Sequence, residues 1–230
     1  QQITSCTPST GTYGCYGCDG GWTEGAYDYL STVAGLANSF YIPYEQSLTE
    51  ETATMACPTE KVANITGEYQ RLQGAYAKVT GYHYATTPCT SGACGKQDLQ
   101  ALAAALEATP VSVCVNAENW NDYTGGVMSS AACGSSGARY QDHCVFATGF
   151  NSTAPIPYWI VKNSWSTTWG EGGYIYLDMS ENTCGVADDA TVPEVALDMS
   201  EDEALKAVAK REEMFLRAVG GVKSTQTLIV

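Results

Sequence analysis

The sequence predicts an α+β fold, with helices concentrated in the first half and an antiparallel sheet or barrel in the second. Three patterns predict it. From Trp22 to Leu36 the apolar residues Trp22, Ala26, Tyr29, Leu30, Val33 and Leu36 recur at three- and four-residue intervals, the stripe of an amphipathic helix. The run from Asp98 to Leu106 is built of strong helix formers and is stopped by Pro110. Four β-rich segments then follow at hairpin-like separations: Val111–Asn116, Cys144–Phe150, Tyr158–Lys162 and Gly173–Asp178.

The remaining segments fill in around these. The first 20 residues, rich in Thr, Ser, Gly and Cys, read as a cross-linked loop ending in Asp19-Gly20-Gly21. Residues 41–95 read as mostly irregular, with a short strand at Tyr76–Tyr84. Beyond Leu197, Ser200-Glu201-Asp202-Glu203 forms a capping box, so residues 197–230 are expected to add a helical extension ending near Gly220-Gly221.

Composition narrows the function. Of the 230 residues, 44% are hydrophobic and 16% charged, the balance of a globular chain. A formal charge of −14 without any run of Lys or Arg excludes a nucleic-acid partner. No apolar stretch reaches the 18 or more residues of a membrane span. Ten cysteines, several in loop-like sequence, fit disulfides in an oxidising compartment. Cys15 and Cys18 have no second pair at zinc-finger spacing and only His83 and His143 supply imidazole, so no metal or other cofactor is expected. The chain opens on Gln1-Gln2-Ile3 without a leader pattern and is expected to begin in mid-protein.

Two segments carry chemistry. Gln141-Asp142-His143-Cys144 leads into an apolar strand ending in Gly149-Phe150. Twenty residues after His143, Asn163 follows a strand and precedes Trp165, Trp169 and a Gly170-Glu171-Gly172-Gly173 turn. Together and in this order they resemble the histidine and asparagine motifs of the papain family of cysteine peptidases. Other landmarks are similar in sequence order: Gln1–Cys6, Cys18-Asp19-Gly20-Gly21-Trp22, Ile42-Pro43-Tyr44, Pro110–Val113 and Cys184–Ala187. The resemblance covers residues 1–196. It implies a two-lobe fold, with an incomplete helical lobe at about 1–109 and an antiparallel β-barrel lobe at about 110–196.

The resemblance implies that His143 is the base, that Asn163 orients it and that Trp165 shields their hydrogen bond. It places Gly20, Gly21, Asp142 and His143 along a peptide cleft, with Cys114, Cys144 and Asp189 around a side-chain pocket. Asp189 would favour a basic group there, although Asp188 is adjacent. It also implies disulfides Cys6–Cys57 and Cys133–Cys184, while Cys89 and Cys94 can close their own loop. Cys114 and Cys144 are either free thiols or a disulfide across the pocket; of Cys15 and Cys18, one is free or the two pair together.

The family's nucleophilic cysteine sits at the start of a long helix in a Gly-Ser-Cys-Trp-like segment, and no such segment occurs here. Cys18 is the nearest imitation, but Asp19-Gly20-Gly21 cannot continue a helix. The expectation is a peptidase whose nucleophile lies outside this chain, leaving the fragment itself inactive. The alternative is a pseudopeptidase retained as a peptide-binding or regulatory module. Peptide or protein substrates, the family's protein inhibitors and a secreted, lysosomal or vacuolar location follow from the resemblance. Asn64-Ile65-Thr66, Asn151-Ser152-Thr153 and Asn182-Thr183-Cys184 are glycosylation sequons.

Overall fold

A computed structural model describes residues 1–10, 13–37, 39, 41–45, 54–63, 77–92, 94 and 96–197. The expected C-terminal helix, Asn64 and Tyr76 lie outside the described residues.

Helix α1 spans Gln2–Cys6 and α2 spans Thr23–Thr32. The periodicity predicted that α2 would run to Leu36, but it stops four residues earlier. Ser31 and Thr32 turn their hydroxyls onto the carbonyls of Asp28 and Tyr29, at 2.7 Å each. Those bonds compete with helix propagation, and Val33 is already extended. Helix α3 is a short turn at Thr59–Ala63. Helix α4, Leu99–Ala108, starts where Asp98 accepts the amides of Gln100 and Ala101 at 3.1 and 2.9 Å. It buries Leu102 and Leu106, one turn apart, against the sheet. A final short helix, α5, covers Ser130–Cys133.

Among the described residues seven strands form one sheet: β1 Ala77–Tyr84, β2 Val111–Val115, β3 Val127–Met128, β4 His143–Asn151, β5 Tyr158–Lys162, β6 Tyr174–Asp178 and β7 Asp189–Leu197. Their order is β1-β7-β2-β4-β5-β6-β3, antiparallel except where β3 lies parallel to β6. The order is linear, with β1 and β3 at the edges and no ladder between them among the described residues. One feature differs from expectation. Strand β1 comes from the half read as helical and joins the sheet because β7, unrecognised in the sequence, pairs with it from Ala77↔Leu197 to Tyr84↔Thr191.

One face of the sheet holds the core. Val111, Val113 and Val115 of β2 lie beside Val145 and Ala147 of β4 and Ala190 of β7, sealed by Leu102 and Leu106 of α4 and by Trp120. The other face presents Ser112, Cys114, Cys144, Phe146, Asp189 and Thr191, one residue out of step. Helix α2 lies against it: Thr23 hydrogen-bonds Thr191 at 3.3 Å, and the Tyr27 hydroxyl bonds Ser112 and Thr191. Four disulfides close the chain, Cys6–Cys57, Cys89–Cys94, Cys114–Cys144 and Cys133–Cys184, whereas Cys15 and Cys18 are both free thiols.

Candidate active site

His143 is the first residue of β4 and Asn163 follows the last residue of β5, so antiparallel pairing of these strands brings both to one end of the sheet. Backbone bonds fix each side. The Asp142 amide donates to Val115 O at 3.0 Å, and its carboxylate accepts from Ala117 N at 2.8 Å. The Asn163 amide donates to Gly173 O at 2.9 Å. The turn between Asn163 and β6 is tight at Gly170, which has φ 53°; a Cβ there would sit 2.6 Å from Tyr174 O.

Asn163 is buried, and its Oδ1 lies 2.8 Å from His143 Nε2. The same oxygen accepts the Ser164 backbone N–H at 2.8 Å. A backbone N–H can only donate, so this second bond fixes which end of the amide faces the histidine. Nε2 therefore carries the hydrogen in its bond to Oδ1, and in the neutral ring Nδ1 is the basic nitrogen. Asn163 Nδ2, buried, has no hydrogen-bond partner among the described residues.

Aromatic rings enclose this pair. Trp165 stacks on His143 with centroids 5.2 Å apart, and Trp120 meets the imidazole edge-on at 6.1 Å. Trp169 packs on Trp120, Trp165 and Tyr123, away from the histidine. Excluding water from the Oδ1–Nε2 bond strengthens it electrostatically.

A cleft of about 440 Å³ opens beside the histidine, lined by Gly20, Gly21, Asp142, His143 and Cys144 together with Tyr16 and Asp19. Gly21 is forced by contact: a Cβ there would lie 2.8 Å from Cys15 Sγ. Three of the site residues do not line the cleft. Trp165 covers the histidine ring and is not part of the lining. Cys114 is buried, reaching the wall only through its disulfide to Cys144. Asp189 is only 6% exposed because its register opposite Cys114 turns it toward α2; the pocket of about 340 Å³ on that face is lined by Tyr27, Ser112, Cys144 and Phe146 and not by Asp189. Asp188 is also buried, accepting from Gly137 N and Asn182 Nδ2 at 2.8 Å each.

A buried carboxyl pair stands behind the disulfide. Burial, then the negative charge of Glu24 and a hydrogen bond shared with it, then Asp188, push the Asp189 carboxyl up to about 7. Glu24 is 1% exposed and accepts from Tyr84 Oη at 3.1 Å. Sequence reading missed Glu24 because a buried carboxylate on the inner face of a helix gives no apolar signal. Trp120 was missed too, since it lies in a loop whose packing no period reveals.

The family model for papain family cysteine proteases matches residues 1–194. The chain belongs to that family. It is 30% identical over 200 residues to digestive cysteine proteinase 2 of Homarus americanus, covering 84% of this chain and 51% of that protein. It is 31% identical to human cathepsin O, covering 82% of this chain and 49% of that one. Among solved structures, bromelain of Ananas comosus in complex with the E64 inhibitor aligns with a TM-score of 0.59 at 30% identity, covering 84% of this chain and 75% of bromelain. The chain spans about half the length of the curated relatives it matches.

Proposed function

We propose that the chain supplies the base and its orienting group for peptide-bond hydrolysis by a thiolate mechanism, with His143 and Asn163 in those roles. The observation that carries this reading is the double acceptance at Asn163 Oδ1, which directs the basic nitrogen of His143 away from Asn163. Nδ1 takes the proton of a cysteine thiol, and the resulting thiolate attacks the peptide carbonyl. The imidazolium then protonates the leaving amine, and the neutral ring activates the water that releases the acyl group. Each proton removed is returned, and the catalyst is regenerated.

The nucleophile belongs to a segment outside these 230 residues. Eight cysteines are locked in disulfides. Burial pushes the Cys15 thiol up, opposed by its hydrogen bond to the Trp22 carbonyl and reinforced to a smaller degree by the Glu24 charge, so its shift runs against thiolate formation. Cys18 is exposed on the three-residue turn Gly17–Asp19, which offers no helix dipole to stabilise a thiolate. An extended peptide lies along Gly20 and Gly21, with the scissile bond between Asp142 and the missing thiol. The family's protein inhibitors occupy the same cleft, and the four disulfides support a secreted, lysosomal or vacuolar location.

Treatment of the chain with an epoxysuccinyl inhibitor, read by intact mass, tests the assignment. The expected result is no alkylation that depends on His143. Alkylation of Cys18 that His143→Ala slows would overturn it and make Cys18 the nucleophile. Sequencing the gene upstream is the complement: a cysteine in a Gly-Ser-Cys-Trp-like segment supports the peptidase, and serine or glycine there supports the peptide-binding module.

A further inference from the structure

The three sequons are not equivalent once folded. Asn182 donates Nδ2 to Asp188 Oδ1 at 2.8 Å and accepts the Ala187 amide at 2.9 Å. Thr183, the middle residue of that segment, is 0% exposed, and Cys184, its third, is in a disulfide to Cys133. A sugar on that nitrogen would break the bond to Asp188. Asn64 lies outside the described residues.

Asn151 has the opposite arrangement. It ends β4 opposite Tyr158 and enters the exposed loop that joins β4 to β5. Its Oδ1 accepts from Thr153 N, Thr153 Oγ1 and Ala154 N, each at 3.1 Å. All hydrogen bonding is thus taken by the oxygen. Nδ2 has no hydrogen bond among the described residues and is not among the buried polar atoms. Ser152 and Thr153 are exposed, as is Ile156 at 55%.

From this geometry we infer that Asn151 is a site of N-linked glycosylation. Nδ2 bonds to the anomeric carbon of a lipid-diphosphate-linked oligosaccharide; the carbon–oxygen bond to the diphosphate breaks, the amide loses one proton, and the lipid diphosphate departs. The glycan shields Ile156 at the loop tip, an apolar side chain that the fold leaves in water. His143 and Asn151 stand at opposite ends of β4, roughly 27 Å apart at about 3.4 Å per residue, so the glycan leaves the cleft open. The inference rests on the secretory location proposed above, because the donor is confined to that route.

The test expresses the chain behind a secretory leader in a eukaryotic host, so that exposure to the donor no longer depends on the natural location. Medium and cell lysate are both mapped by peptide mass, since transfer takes place before export. The expected result is a glycopeptide containing Asn151, whose mass shift peptide N-glycosidase removes while converting Asn151 to Asp. Thr153→Ala abolishes the shift and Thr153→Ser retains it. An unmodified Asn151 peptide in both fractions overturns the inference. Occupancy at Asn151 in the leader-driven chain, with none in protein from its natural source, supports the site and tells against the location alone.

Discussion

Along β2, Val111, Val113 and Val115 enter the core, while Ser112 and Cys114, one residue out of step, face α2. The first set lies in the apolar cluster with Leu102, Leu106 and Trp120 and is fully buried. The second meets Thr191, Asp189, Cys144 and the tyrosine and carboxylate of α2. Both faces are packed, but by different physics. The core face is held by removal of apolar area from water, which is non-directional and tolerant of which residue supplies it. The α2 face is held by one disulfide and a few hydroxyl bonds, each of which needs a specific partner, and it carries a carboxyl pair that weakens it once Asp189 ionises.

The largest effect belongs at the end where the core face meets the cleft. In protein carrying the nucleophile, His143→Ala is expected to lower kcat/KM by about 10³-fold, ~4 kcal/mol of transition-state stabilisation. Asn163→Ala is expected to cost less in kcat and to leave KM nearly unchanged, because it disturbs the orientation of the base and not the cleft. A rise in KM with intact kcat would mean that Asn163 binds substrate instead.

Next in size is the core itself. Leu102, 0% exposed, packs from α4 onto β2 and β4. Leu102→Ala is expected to cost about 3 kcal/mol in urea unfolding. On the α2 face, replacing Cys114 by Val and Cys144 by Ala together is expected to cost about 2 kcal/mol, through loss of the cross-link. If the double variant proved as stable as the parent, apolar packing would dominate both faces and the contrast between them would fail.

The same contrast explains what the sequence disclosed. Helix α4 was legible because Asp98 caps it, good helix formers fill it and Leu102 and Leu106 give its period. Strands β2, β4, β5 and β6 were legible because a one-sided core imposes alternation or β-branched runs. Strand β7 was not, since Asp189, Thr191, Pro193 and Glu194 interrupt its apolar residues and its pairing with β1 spans more than a hundred positions. His143 and Asn163 were legible through their flanking motifs. Glu24 was not, and Asp189 was read as a pocket carboxylate and not as the partner of Glu24: nothing in a sequence says which two carboxylates the fold brings together out of water.

That carboxyl pair gives the smallest effect and the sharpest test of the α2 face. The Asp189 carboxyl stands at about 7 against an ordinary 3.8, because burial disfavours its charge and Glu24 adds a second negative one. Between pH ~4 and ~7 the unfolded chain has released this proton and the folded chain still holds it. The folded state binds more protons there, so stability falls as pH rises through the window and levels off above it. The parent should therefore melt at a higher temperature at pH 5 than at pH 7.5. Asp189→Asn keeps the shape, removes the titrating group and should raise stability at pH 7.5 by about 1 kcal/mol, flattening the dependence between the two pH values. Glu24→Gln should flatten it partially, because it removes the neighbouring charge but leaves the burial. If Asp189→Asn kept the parent's pH slope, the dependence would arise elsewhere, and the α2 face would owe its stability to the disulfide and hydroxyl bonds, with no carboxyl pair opposing them.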